Sequence, residues 1–151
     1  MAATAAPGTT VVVRRTFKAP VAAVFRAWSD PSMAKRWSWG PEFDTVSIDL
    51  NCHPGGTWRQ HIRDRNTGES WFFDGVFQEV VPNRKLVHTF HFTNDRGYDE
   101  PPSLVTVEFT ERGASTDVVL THTLLSDGKV KETNTGWTEI FGVMKIFSNE
   151  E

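Results

Sequence analysis

Three ionisable residues of this chain could do acid-base chemistry together: Glu79, His88 and His122. A carboxylate beside an imidazole can hold the ring protonated or fix its tautomer, which is what a general base needs. Pairing Val81 with Leu86 across a turn at Pro82 to Lys85 sets Glu79 opposite His88 and Phe77 opposite Phe90. The pair then serves either proton transfer or, in the favoured reading, the anchoring of strands and ligand. His122 ends another alternating stretch and could hydrogen-bond a ligand carbonyl or hydroxyl, or equally a loop carbonyl.

Other chemistries lack the required spacing. Cys52 and His53 are adjacent rather than at metal-ligand spacing, and no second cluster accompanies them, so no metal is expected. Gly55-Gly56 has no Lys-Ser/Thr after it and reads as a turn, not a phosphate loop. No G-x-S-x-G elbow occurs, and no cofactor is expected.

The elements that must carry these residues can be read from periodicity. Alternating or β-branched stretches predict strands at 11–18, 43–50, 57–64, 70–81, 85–92, 103–111 and 115–124. Between most of them stand turn signals such as Pro54-Gly55-Gly56, Asn66-Thr67-Gly68, Pro82-Asn83 and Gly113. Short connections imply an antiparallel meander. Val21, Val24, Phe25 and Trp28 fall on one helical face after Pro20, and Asp30-Pro31 caps a second short helix. Near the end, Val130, Thr133, Trp137, Ile140, Met144 and Phe147 make an apolar stripe, predicting a long helix over about 129–147. The expected fold class is α+β: a curved antiparallel sheet of six to seven strands around that helix.

Pairing Asp64 with Glu69 sets Ile62 against Trp71, Gln60 against Phe73 and Trp58 against Gly75, while a hairpin at Gly113 sets Val105, Val107 and Phe109 against His122, Leu120 and Val118. The inward face is thus aromatic, with Gln60, Glu79, His88 and His122 as isolated polar groups. Apolar walls with few polar anchors are the pattern of a small-molecule site. The candidate ligand-binding set comprises Trp37, Trp39, Trp58, Gln60, Trp71 and Phe73 from the first half. Phe77, Glu79, His88, Phe90, His122, Trp137 and Phe141 complete it.

The totals bound the partners. The 151 residues suit one domain, expected over 11–151 after a disordered tail at 1–10. Six Trp and eleven Phe against one Tyr suggest a rigid apolar interior. A net charge of −3 without a Lys/Arg run argues against nucleic acid. No apolar run reaches the roughly 20 residues that span a bilayer, so membrane insertion is not expected. One cysteine, Cys52, fits a reducing cytoplasm.

Taken in order, several segments resemble a known superfamily. They include Phe17-Lys18-Ala19-Pro20, Val24 to Trp28, Asp30-Pro31, Arg36-Trp37, Trp39-Gly40-Pro41 and Pro54-Gly55-Gly56. Gly75 to Pro82, Arg84 to Val87, Leu120-Thr121-His122 and Gly136-Trp137 follow. The chain resembles the START/Bet v 1-like (SRPBCC) superfamily, and within it the branch related to the C-terminal domain of the Hsp90 ATPase activator. The resemblance implies a helix-grip fold with a deep hydrophobic pocket, but no single activity: members resemble lipid carriers, polyketide cyclases, sequestering proteins and chaperone cofactors. The expectation is a carrier, sensor or sequestering protein for a lipid, polyketide or aromatic metabolite. A cyclase or dehydratase using Glu79, His88 or His122, or a chaperone-interaction module, are the alternatives.

Overall fold

The computed structural model describes residues 10–34, 43–123 and 137. The long C-terminal helix and the N-terminal tail expected from sequence lie outside these residues, apart from Trp137.

Strand β1 (Thr10–Phe17) leads into α1 (Val21–Ser29) and the single turn α2 (Pro31–Ala34). Six strands follow: β2 (Phe43–Leu50), β3 (Thr57–Asp64), β4 (Ser70–Val81), β5 (Lys85–Asn94), β6 (Ser103–Arg112) and β7 (Ser115–Thr123). They form one seven-stranded sheet in the order β1-β7-β6-β5-β4-β3-β2, antiparallel throughout. The six form a meander because each turn is short; β1 joins its far edge beside β7.

The sheet is half-barrel in form, with its apolar face inward. Helix α1 covers one end: Phe25 and Trp28 pack edge-on against Phe109, with ring centroids 5.2 and 5.5 Å apart. Pro20 suits its start, having no N–H to leave unsatisfied. Thr116 Oγ1 donates to the Ala19 carbonyl at 2.8 Å and so ties the helix entrance to β7. Asp30 caps α2, its Oδ1 accepting from the Ser32 backbone N–H at 2.9 Å.

Cross-strand rows fix which side chains meet. One runs Phe77, His88, Val105, His122, Val11 across β4, β5, β6, β7 and β1. Another runs Ile48, Gln60, Phe73, Phe92 across β2 to β5. The β3–β4 and β6–β7 registers match the sequence expectation.

The β4–β5 register corrects it. Val81 pairs with Lys85, not Leu86, and Phe77 with His88, not Phe90; a bulge falls between Phe77 and Glu79. The cause is the turn. Arg84 N–H donates to Val81 C=O at 3.0 Å, with Pro82 second and Asn83 third at φ 64°. Proline then a positive-φ Asn is the arrangement of a type II turn, and it shortens the loop. The extra residue at Gln78 restores an inward position for Val80, which packs on the core.

Candidate functional site

Between the inward rows lies a cavity of about 60 Å³. One water needs about 10–15 Å³, so there is room for several waters or for part of a small ligand. β2 contributes Ile48 and Leu50, α1 contributes Trp28, and the sheet centre contributes Trp58, Phe77, Leu86, Phe90, Val105 and Leu120. Trp137 closes it from the C-terminal side; the residue is helical and buried. Gln60 and His88 supply the polar lining.

His88 is held by a local exception to the sheet ladder. Its Nδ1 lies 2.9 Å from the Thr89 carbonyl oxygen, and the Trp58 indole N–H donates to the same oxygen at 3.2 Å. The Thr89 hydroxyl meanwhile accepts the Val76 backbone N–H at 2.8 Å. Gly75 permits this arrangement: a Cβ there would lie 1.9 Å from Thr89 O and 2.4 Å from Trp58 Nε1. A carbonyl only accepts, so His88 carries its proton on Nδ1 and presents Nε2 as a lone pair. Trp58 and Phe77 flank the ring edge-on at 5.1 and 5.5 Å. Burial pushes the His88 pKa down to about 4, partly offset by the bond to Thr89.

His122 is engaged on both nitrogens. Trp137 Nε1 donates to Nδ1 at 3.1 Å, and Nε2 lies 2.6 Å from Ser103 Oγ. An indole N–H cannot accept, so the proton sits on Nε2 and goes to Ser103, whose hydroxyl reaches the Phe90 carbonyl at 3.3 Å. Burial, then the neighbouring His88, pushes the His122 pKa down to about 3. His122 thus anchors Trp137 rather than offering a nitrogen to the cavity.

Glu79 does not face His88. It lies opposite Val87, is half exposed, and pairs with Lys85 Nζ at 3.4 Å. The bulge at Gln78 is the reason, because one extra residue turns every later side chain to the other face. The expected acid-base pair is therefore withdrawn.

Phe73 and Trp71 sit beside the cavity in an aromatic cluster: Phe73 stacks on Phe92 at 5.0 Å, and Trp71 meets Phe43 at 4.8 Å. Trp37, Trp39 and Phe141 lie outside the described residues. The candidate set leaves out Leu86, Val105 and Leu120, which line the cavity as apolar wall, and Ile48 and Leu50, although their alternation in β2 marks them as one face. It also omits Trp28, although Val21, Val24, Phe25 and Trp28 share one helical face. Among the described residues no group of three or more His, Cys, Asp or Glu could hold a metal, and no helix is long and apolar enough to cross a membrane.

A curled antiparallel sheet with an apolar, sparsely polar cavity on its inner side defines the class. The chain belongs to the family described as Activator of Hsp90 ATPase homolog 1-like protein, which matches residues 18–147. Solved structures share the fold. A protein from Chromobacterium violaceum is 20% identical, covering 89% of this chain and 92% of that one with a TM-score of 0.79. One from Rhizobium leguminosarum is 28% identical, covering 87% and 90% at a TM-score of 0.71. The AHSA1-like protein from Aeromonas hydrophila is 22% identical, covering 87% and 86% at a TM-score of 0.70. No functionally curated protein matches the chain.

Proposed function

We propose that this protein binds a hydrophobic small molecule, a lipid, polyketide or aromatic metabolite, in the cavity between the sheet and the C-terminal segment. It acts as a carrier, sensor or sequestering protein in the cytoplasm. The supporting observation is the cavity itself: aromatic and aliphatic walls with Gln60 and His88 as polar anchors. The helix-grip architecture belongs to the same reading. A helix over about 129–147 would cover the cavity, and the buried, helical Trp137 supports it. Binding is favoured over turnover because Glu79 pairs with Lys85 on the other face and, among the described residues, no carboxylate faces His88. Cys52 is consistent with a non-redox role, since burial raises its thiol to about 11 and keeps it protonated.

An amide-shift titration against fatty acids, sterols, flavonoids and polyketides tests this. Shifts for a bound compound should map to Trp58, Phe77, His88 and Phe90. Val105→Phe, which fills the cavity, should abolish them with the fold retained. Shifts confined to the outer face, or binding unchanged in Val105→Phe, would overturn the reading.

A further inference from the structure

The cavity's polar groups are unequal in what they leave for a ligand. Trp58 Nε1 is committed to Thr89 C=O and Trp137 Nε1 to His122. Two of the three lining indole donors are thereby spent inside the protein. His88 is the opposite case. Its Nδ1–H is turned back to the strand, and Trp58 and Phe77 hold the ring plane. The ring edge away from the strand carries Nε2, which among the described residues has no hydrogen-bond partner. No Lys, Arg, Asp or Glu occurs among the described residues that line the cavity.

Resting on the binding function above, we infer that the ligand is a neutral molecule with an apolar body and one hydroxyl, phenol or N–H that donates to His88 Nε2. A lone pair in an apolar pocket attracts a donor and repels a carboxylate. Protonation would reverse that preference, but burial holds His88 neutral well below neutral pH. A donor-free ligand would leave a desolvated acceptor unpaired, which is costly. The site therefore selects by the head group as well as by shape, and it disfavours free carboxylates.

Three probes of one shape separate the possibilities: 2-naphthol, 2-methoxynaphthalene and 2-naphthoate, titrated at neutral pH and followed by amide shifts and by the ring ¹⁵N shifts of His88. 2-Naphthol should bind at the cavity about tenfold tighter than its methyl ether, and naphthoate more weakly than both. The His88 Nε2 resonance should move toward hydrogen-bonded values with naphthol and stay in place with the ether. His88→Phe should bring naphthol down to the affinity of the ether; the wild-type comparison and the ring shift decide the matter even if that variant fails to fold. Equal binding of naphthol and ether overturns the donor inference while the apolar site stands. Tightest binding by naphthoate overturns it too. Absence of any cavity-mapped binding defeats both readings together.

Discussion

His88 and His91 stand three residues apart on β5, and the odd spacing sends them to opposite faces of the sheet. Inside, His88 meets two aromatic rings and a backbone carbonyl, with no countercharge among the described residues; burial pushes its pKa down to about 4. Outside, His91 Nε2 lies 2.6 Å from Asp99 and Nδ1 3.4 Å from Asp74. The bond to Asp99 is the main cause that holds its pKa above the ordinary value, against some desolvation. One strand thus keeps one imidazole neutral inside and, outside, favours the charged form of another that bridges to the β5–β6 connection. The difference is one of surroundings, not of residue type.

That contrast has a pH signature, which is the largest effect expected. An unfolded histidine titrates near 6.5, His88 at about 4 and His122 at about 3 when folded. Below about 6.5 the unfolded state holds more protons, so stability rises with pH across that window. The contribution is complete above about pH 6.5 and is lost as pH falls toward 4. Each histidine contributes up to about 1.4 kcal/mol per pH unit there, several kcal/mol in all. His91 runs the other way: its contribution is complete below about 6.5 and is lost as pH rises through its raised folded pKa. Urea-unfolding midpoints measured upward from about pH 4.5 should climb steeply to about 6.5. His91→Gln should leave that acid limb intact. A flat acid limb would mean the inner histidines are not held neutral, and the comparison breaks.

Trp137 tests the inner side by packing. The ring is buried and its N–H satisfies His122. Trp137→Ala should cost about 3–5 kcal/mol in chemical denaturation, from the lost ring and the orphaned imidazole. Trp137→Phe keeps most of the ring and should cost about 1–3 kcal/mol. A loss under about 0.5 kcal/mol for the alanine variant would show that this residue does not close the cavity.

Much of this was legible in the sequence. Six of the seven strands fall within one residue of the observed ends at both termini, and β5 starts as expected and runs two residues further, to Asn94, because alternation and turn residues agree there. His88 came out inward although its partner was misplaced. At His88 the register error is two residues, and a shift of two keeps a side chain on its face. Glu79 came out wrong because the bulge at Gln78 intervenes, and nothing in Phe77-Gln78-Glu79-Val80 distinguishes a bulged strand from a regular one. The tautomers were illegible for another reason. They depend on the Thr89 carbonyl and on Trp137, which only the folded chain brings to the two rings.

The smallest effect concerns Glu79, and it sharpens the division between the faces. Its carboxylate is half exposed and 3.4 Å from Lys85, itself partly exposed. An exposed pair of this kind contributes about 0–1 kcal/mol, because water solvates both charges and ordering two long side chains opposes the gain. Glu79→Gln should therefore shift stability by less than about 1 kcal/mol, and less still at high salt. It should leave 2-naphthol affinity unchanged, since the side chain lies across the sheet from the cavity. His88→Phe should do the reverse, altering head-group preference. If Glu79→Gln weakened naphthol binding severalfold, the bulge could not be turning Glu79 outward in solution, and an acid-imidazole pair would again be a live description of the site. If it changed nothing, the polar chemistry of the inner face rests with His88 and Gln60.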